Sequence, residues 1–338
     1  MVLRNTEVEE MIRAIGTFPD YKVLVVGDIM MDEFLWGEVS RISPEAPVPI
    51  VKLEKETFLL GGAANVVNNL VGLKGQVLLA GVVGSDGTGR RLKRKLQSLG
   101  TTTEGIISEE GRPTAIKTRI IAHQQQVVRV DRERIAPILP QTRQAILDII
   151  RKNIPRLQGI IVSDYGKGVI SRELMSELKK IAAEKPLPIL VDPKPNNISW
   201  YDRVTLITPN QPEAELAVGK KIQAENDLIW AGSQLLKKLK CESVLITRGK
   251  EGMTLFLKNR PVQHIPTVAQ KVFDVSGAGD TVIATLLLSL VSGMSLPQAC
   301  IVANFAAGIV VGEVGTAAVQ AGDLIRVLEK SKEKIRTD

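Results

Sequence analysis

Short apolar runs recur along the chain at residues 21–27, 76–83, 159–163, 188–192, 204–208 and 243–247. Each is rich in Val, Ile or Leu and stops at polar or glycine residues. Runs that are apolar throughout, rather than at every second position, fit strands of a parallel sheet covered on both faces. Between them the spacing predicts helices over 63–73, 87–99, 141–153, 171–184, 212–218, 225–239, 279–292 and 296–311. In 87–99, for example, Leu92, Leu96 and Leu99 recur at helical spacing among Arg90, Arg91, Lys93, Arg94 and Lys95. Strands and helices alternating over most of the chain predict a doubly wound α/β fold.

Two segments break this rhythm. Residues 33–60 and 113–132 contain stretches such as Val48-Pro-Ile-Val-Lys52 and Thr118-Arg-Ile-Ile-Ala122, with the period of two of half-exposed strands. They predict a small β-sheet projecting from the main layer as a lid. The whole of 1–338 then reads as one domain, without a low-complexity linker or an internal repeat.

Composition narrows the chemistry. The 338 residues are 44% hydrophobic and 24% charged, a balance that can bury a large core without staples. Two cysteines, Cys241 and Cys300, and two histidines, His123 and His264, exclude a disulfide framework and a Cys- or His-rich metal centre. The net charge of +7 could point to nucleic acid, but the basic residues are dispersed and aromatics make up only 4%. A solvated surface with a small anionic substrate accounts for the excess, so no nucleic-acid partner is expected. Residues 1–20 lack the apolar core of a signal peptide. The stretch 281–294 is interrupted by Ser289 and Ser292 and is too short to span a bilayer. A cytoplasmic enzyme without membrane contact is the expectation.

The strongest chemical signal is Asp274-Val-Ser-Gly-Ala-Gly-Asp280-Thr281, followed by an apolar helix. Gly277, Ala278 and Gly279 let the backbone approach an anion at a helix N-terminus, where the dipole favours negative charge. Asp280 in the first turn could take a proton from an attacking hydroxyl. A Walker A loop is absent. Gly61-Gly62-Ala-Ala-Asn65 offers a second close approach and an amide with donor and acceptor. Gly27-Asp28-Ile-Met-Met-Asp32 ends the first strand, where ligands bind in parallel sheets. Asp28 is placed there for sugar hydroxyls, with Asp32 counted beside it. Ser163-Asp164-Tyr-Gly-Lys167-Gly, Asp192-Pro-Lys194 and Thr208-Pro-Asn210-Gln-Pro-Glu213 follow other strands, and Thr247-Arg248-Gly249-Lys250-Glu-Gly252 suits a nucleotide. Each of these, alone, reads first as an ordinary turn or helix cap, and it is their shared position after predicted strands that points jointly to a site.

Gly61-Gly62-Ala-Ala-Asn65 and Asp274-Val-Ser-Gly-Ala-Gly-Asp280, in that order and far apart, resemble the ribokinase-like carbohydrate kinases, the PfkB family, over roughly 21–320. The resemblance implies a three-layer α/β kinase with a mainly parallel sheet and a β-sheet lid that dimerises. It implies Asp280 as catalytic base, the Gly277–Gly279 amides as anion hole, and Gly61, Gly62 and Asn65 as sugar ligands. It also implies ATP with Mg²⁺ near Asn210 and Glu213, without a protein-only metal site, and allows a monovalent cation. Lys194, Thr247, Arg248, Gly249, Gly252 and Asn304 join the expected nucleotide contacts.

Within the family, 40–49 (Ser-Arg-Ile-Ser-Pro-Glu-Ala-Pro-Val-Pro), 163–168, 192–194, 208–210 and 311–316 are similar to the heptose 7-phosphate kinases. That implies phosphorylation of the anomeric hydroxyl of D-glycero-β-D-manno-heptose 7-phosphate to the 1,7-bisphosphate, toward ADP-heptose and lipopolysaccharide core. A separate nucleotidyltransferase and phosphatase would complete the route. The nucleotidyltransferase often fused to such kinases is expected to be absent, since the chain ends soon after the kinase region and its histidines lie far apart. Arg41, Lys117, Arg119, Lys167 and Lys194 are candidates for the 7-phosphate. Another sugar or nucleoside kinase of the family, or a binding protein without catalysis, remains open. Lys74 stands where the family commonly has glycine, and Thr285 where it has a very small residue.

Overall fold

One long strand belongs to two sheets, and the rest of the molecule is arranged around it. A computed structural model describes residues 4–123, 125–269, 274–313, 315 and 317–335. In chain order the elements are α1 (Asn5–Gly16), β1 (Lys22–Ile42), β2 (Pro49–Gly62), α2 (Ala63–Gly72), β3 (Gln76–Gly84), α3 (Gly87–Ser98), β4 (Ile106–Glu109), β5 (Ala115–Ala122) and β6 (Gln125–Arg132). There follow α4 (Pro140–Asn153), β7 (Gly159–Ser163), α5 (Arg172–Glu184), β8 (Ile189–Asp192), β9 (Leu206–Ile207), α6 (Gln211–Val218), α7 (Glu225–Leu239) and β10 (Ser243–Thr247). The last are β11 (Met253–Leu257), β12 (Gln263–Ile265), α8 (Ala278–Val291), α9 (Leu296–Val310) and α10 (Ala321–Ile335).

The main sheet has the order β12-β11-β10-β9-β8-β7-β1-β3-β4. It is parallel from β10 to β4, with β11 and β12 antiparallel at one edge. Side-chain alternation sends each strand's residues to two cores. Val23 and Val25 of β1, Leu79 of β3, Ile161 of β7 and Leu245 of β10 pack with α1, α2, α8 and α9. Leu24 and Val26, Leu78 and Ala80, Ile160 and Val162, and Val244 and Ile246 pack on the other face with α4, α5 and α7. Two helical layers enclosing one sheet form the expected three-layer, ribokinase-like α/β fold. Among the described residues no helix is long and apolar enough to cross a membrane.

Beyond Asp28, β1 leaves the main sheet and continues into a second one. There it pairs antiparallel with β2 from Ile29 to Ile42 and parallel with β5 from Met30 to Gly37, and β6 pairs antiparallel with β5. The alternating segments therefore form a sheet of order β2-β1-β5-β6 beside the main one. The sequence pattern ends the first strand at Gly27, whereas the strand runs on to Ile42. What changes at residue 28 is the partner strands, not the extended backbone or the burial, which stays complete from Val23 to Asp32 and becomes partial only from Glu33.

Three short strands (β4, β11, β12) and two terminal helices (α1, α10) escape the sequence reading. In α1 the buried residues are Val8, Met11 and Ile15, a helical stripe diluted by charged neighbours. The predicted strand 204–208 shrinks to the two residues of β9. Of the segment 311–316, Val314 and Thr316 lie outside the described residues.

Lys74 shows why glycine suits its place. It follows α2 at φ 71°, its N–H donates to Val71 O at 2.9 Å, and Gly75 N–H donates to Leu70 O at 2.9 Å. This pair of bonds closes a helix with a left-handed residue, a conformation that costs a side chain on the order of 1 kcal/mol. Thr285 fits within α8 by donating its buried hydroxyl to Thr281 O at 2.8 Å. Lys74→Gly should therefore stabilise the chain by about 0.5–1 kcal/mol, read as a higher urea midpoint at unchanged slope. A lower midpoint would show that the left-handed turn is not strained.

Candidate active site

Asp280 lies in the first turn of α8 and is 2% exposed. Gly277 precedes the helix at φ 79°, a left-handed turn that glycine makes without strain. Among the described residues no side chain caps this N-terminus; Ala278 N donates to Val275 O at 3.2 Å, while the N–H groups of Gly279 and Asp280 meet no acceptor there and are available to an anion. Asp274 braces the loop, accepting from Ser276 N at 2.8 Å and from Gly315 N at 3.1 Å. Burial raises the pKa of Asp274, but these bonds outweigh it and hold the group below its ordinary value.

Each carboxylate oxygen of Asp280 has one side-chain donor. Asn65 Nδ2 reaches Oδ2 at 2.8 Å, and the Tyr165 hydroxyl reaches Oδ1 at 2.8 Å. Burial pushes the Asp280 pKa up to about 7; these two bonds pull it down, and the charge of Asp32 adds to the rise. The group thus titrates near neutrality, as suits a general base. Tyr165 is pushed up in turn, first by burial and then by Asp280, and stays a hydrogen-bond donor.

Asn65 is set by the turn between β2 and α2. Gly62 has φ 56°, and a Cβ there would sit 2.5 Å from Asp28 O and 2.8 Å from Met30 Cε. A Cβ on Gly61 would strike Asp32 Oδ2. The two glycines let β2 close against β1 while α2 starts beside α8. A buried chain joins the helices: Asn69 Nδ2 donates to Asn65 O at 3.0 Å, and the Thr281 hydroxyl donates to Asn69 Oδ1 at 2.9 Å. Asn65 Oδ1 is buried without a partner among the described residues.

The second sheet turns one face toward this cluster. Asp32, Phe34 and Trp36 alternate onto it with Lys117 and Arg119, since Asp32 pairs with Lys117 and Phe34 with Arg119. Arg119 Nη1 lies 2.5 Å from Asp32 Oδ1, and its guanidinium lies over the Phe34 ring at 5.2 Å. Lys117 Nζ lies 3.3 Å from Asp131. A cavity of about 560 Å³ opens instead on the opposite face, between this sheet and α3, lined by Glu33, Phe58, Arg91, Arg94, Thr118 and Arg132 among others. It holds none of the residues around Asp280, so the chemistry points away from it.

Asp28 organises the loop after β7. Its Oδ2 accepts from Tyr165 N at 2.9 Å and Lys167 N at 3.0 Å, and its Oδ1 from Val169 N at 3.1 Å. All three donors are backbone N–H groups, and Oδ1 keeps acceptor capacity beyond its one bond. Burial and the nearby Asp164 raise its pKa to about 6 against those three bonds. Asp164 fastens the same loop, accepting from Gly166 N at 2.7 Å, from Asn197 Nδ2 at 2.8 Å and from the Tyr201 hydroxyl.

On the other strand ends, Asn210 caps α6 and shares a capping box with Glu213: Glu213 N donates to Asn210 Oδ1, and Asn210 N to Glu213 Oε2, each at 2.9 Å. A bridge ties Asn210 to Thr247, so these two loops adjoin. Asp192 is raised by burial and by Asp280, Glu213 and Asp164; Glu213 is raised mainly by burial. Lys194 is exposed beside Gly166. Arg248 Nε is buried without a partner among the described residues, and Gly249 and Gly252 make left-handed turns.

Three further candidates have partners or positions of their own. Arg41 is exposed nine residues beyond Asp32, roughly 30 Å along the strand. Lys167 pairs with Glu133 at 2.5 Å. Asn304 is buried and donates to Pro266 O at 2.7 Å, a strut between α9 and the loop after β12. Tyr165 is the residue the sequence reading missed. It stood in the quoted segment after β7, but nothing in the sequence aims its hydroxyl at a carboxylate 115 positions away.

Comparison with known proteins follows the same geometry. The model of the pfkB family carbohydrate kinases matches residues 20–321. The chain belongs to this family. Among its relatives are the bifunctional protein HldE of Desulfatibacillum aliphaticivorans, 48% identical over 92% of this chain and 63% of that one, and HldE of Citrifermentans bemidjiense, 45% identical over 90% and 62%. The chain thus spans about three fifths of their length. Similar solved folds include Arabidopsis thaliana ribokinase complexed with ribose and ATP (TM-score 0.74, 18% identity, 91% of this chain and 98% of that one). Phosphofructokinase-2 of Escherichia coli in complex with substrates and products is another (TM-score 0.74, 16% identity, 92% and 99%).

Asp280 lets the stability of this pfkB-family chain be tested apart from its activity. With a folded pKa of about 7 against an ordinary 3.8, the folded chain takes up this proton at higher pH than the unfolded chain. The ionised group therefore opposes folding above pH 7, and the cost fades as pH falls toward 4. In Asp280→Asn the amide is neutral, and Asn65 can turn its unpartnered Oδ1 to accept from it. The variant should be more stable than the wild type by about 1–3 kcal/mol at pH 8, with the gap narrowing through pH 5 and closing near pH 4. Urea unfolding at both pH values measures it. A less stable variant at pH 8 would mean that Asp280 is not held ionised against its surroundings.

Proposed function

We propose that the chain is an ATP-dependent kinase that phosphorylates the anomeric hydroxyl of D-glycero-β-D-manno-heptose 7-phosphate, giving the 1,7-bisphosphate. The observation that carries the reading is a buried carboxylate titrating near neutrality, Asp280, beside helix N–H groups that no side chain caps. The resemblance of 40–49, 163–168 and 192–194 to heptose 7-phosphate kinases supports the substrate, and relatives named HldE at 41–48% identity agree with it. In this reading Asp280 takes the proton of the attacking hydroxyl. The α8 N-terminus receives the charge that collects on the transferred phosphoryl group. Asn65 orients both carboxylate and sugar, with Gly61 and Gly62 keeping the backbone close. Asp32 holds Arg119 toward the sugar's own phosphate, with Lys117 beside it.

ATP would lie along the β8–β10 ends, against Lys194, Asn210, Glu213 and the 247–252 loop. The carboxylates of Asp192, Glu213 and Asp164 crowd there, with Asp192 raised by the others, a negative environment that a cation relieves. This fits Mg²⁺ carried with the nucleotide near Asn210 and Glu213. Among the described residues no group of three or more metal-ligating side chains could hold an ion alone. Mg²⁺ supplies charge neutralisation on the phosphates. A cytoplasmic location and a pathway shared with a nucleotidyltransferase and a phosphatase belong to the same reading.

We also propose that the lid dimerises. The lid face away from Asp280 carries Leu35, Ile120, Val128 and Val130, with Leu53 opposite Gly37. Val128 is 45%, Val130 51% and Leu53 54% exposed. A contiguous apolar face of this kind needs cover. Light scattering at micromolar concentration should give twice the chain mass, and Val130→Glu should give the single mass. A wild-type monomer would end the dimer reading.

Kinetics test the reaction itself. Asp280→Asn should lower kcat by roughly 10²–10⁴-fold in a folded protein; near-wild-type turnover would remove Asp280 as base. Heptose 7-phosphate should be used far better than free heptose. Arg119→Ala should cost the phosphorylated sugar about 1.5–3 kcal/mol, roughly ten- to a hundredfold in kcat/KM, and the free sugar much less. Equal kcat/KM for both sugars in the wild type would point to an unphosphorylated sugar or a nucleoside.

A further inference from the structure

The hydroxyl of Tyr165 is one of two side-chain donors to Asp280, and the loop that carries it is fastened on both sides. Its own N–H donates to Asp28, as do those of Lys167 and Val169. The preceding residue, Asp164, is held by Asn197 and Tyr201. A phenol on so constrained a backbone has little freedom to leave the carboxylate. We infer that Tyr165 is a positioning residue for Asp280: its hydroxyl fixes the carboxylate's orientation and keeps it ionised at neutral pH, and Asp28 sets the loop for that task. The inference rests on Asp280 being the base.

The physical need is visible in the surroundings. Asp280 is buried, and the charged groups acting on it add to its difficulty. Asp32 of β1 raises it directly, and Asp192 at the end of β8 lies within the same field. Behind Asp192 stand Asp164, Glu213 and the cation Lys194. Arg119 pairs with Asp32 rather than with Asp280. From α2 comes only the neutral Asn65. No ion pair to Asp280 is formed among the described residues, so neutral donors must do what a cation would otherwise do. A hydroxyl donor favours the ionised form and leaves each oxygen a second lone pair for an incoming proton. A lysine in the same place would hold the carboxylate ionised but compete for that proton's site.

The test is the pH profile of kcat/KM from pH 5.5 to 9.5, taken with ATP and heptose 7-phosphate, for wild type, Tyr165→Phe and Asp280→Asn. Activity should rise with pH as Asp280 ionises. In Tyr165→Phe the rising limb should move up by about one to two pH units. Turnover at pH 7 would then fall about five- to fiftyfold and recover toward wild type at pH 9.5. If the variant does not fold, 3,5-difluorotyrosine at position 165, a stronger donor of nearly the same shape, should move the limb the other way, to lower pH. A limb that stays in place, or a loss of equal size at every pH, with Asp280→Asn inactive, would overturn the role of Tyr165 and leave the base intact. Full activity in Asp280→Asn would overturn the base and this inference with it.

Discussion

The structure is organised around one buried carboxylate. In the proposed reaction Asp280 is the base: burial strengthens the N–H groups beside it, because hydration would weaken their field, and accepting a proton requires the ionised form. These demands oppose each other, since burial drives a carboxylic acid toward its neutral form. The chain meets both with neutral donors from two distant segments, Asn65 on α2 and Tyr165 after β7. The rest of the site can be traced back to those two. The glycine pair 61–62 starts α2 where Asn65 can reach, and the Asn65–Asn69–Thr281 chain locks α2 to α8. Asp28 and Asp164 fix the Tyr165 loop. These bonds tie together segments from across the chain around a single group.

The same constraint explains why β1 serves two sheets. Its first half lies between β3 and β7 in the main layer, and its second half is flanked by β2 and β5. Asp28 stands at the crossing and Asp32 two alternations beyond it, on the same strand. A strand continuous through both sheets places lid residues at a fixed height above the strand ends, without a hinge inside the strand. Asp32 thereby acts on Asp280 and holds Arg119 at once. Lid and catalytic floor are coupled by covalent geometry as well as by contact.

Much of this was legible in the sequence because it is local. The apolar runs give the parallel strands almost to the residue at 159–163 and 243–247, since burial on both faces writes itself into consecutive positions. The glycine motifs mark backbone turns that only glycine tolerates well. What the sequence could not show is which polar groups meet across the fold. Asp28 reads as a ligand at a strand end, but its oxygens are met by three N–H groups more than 130 positions away. Lys167 reads as a phosphate ligand and is paired with Glu133. Asn304, deep in α9, supports a loop through Pro266. Tyr165 was overlooked for the same reason in reverse: an aromatic residue between Asp and Gly reads as loop filling until its partner appears. β12, of three residues, is too short to carry a pattern, whereas β4 and β11 are as long as β8 and β7 but lack an unbroken apolar run, being Ile-Ile-Ser-Glu and Met-Thr-Leu-Phe-Leu.

Net charge misleads in the same way, because a sum over the chain says nothing of the field at one point. The chain is basic by +7, yet the strand ends around Asp280 gather Asp28, Asp32, Asp164, Asp192 and Glu213. Of the cations near them, Arg119 is paired with Asp32 and Lys167 with Glu133. The cations of the lid face are engaged as well, Lys117 with Asp131 and Arg119 with Asp32, while Lys194 stands exposed and acts on Asp192. What an incoming group meets is therefore set by the α8 N-terminus, by Lys194 and by which of these pairs it can open, and not by the chain's excess of basic residues. The proposed substrate bears on these local fields, which the net charge does not describe.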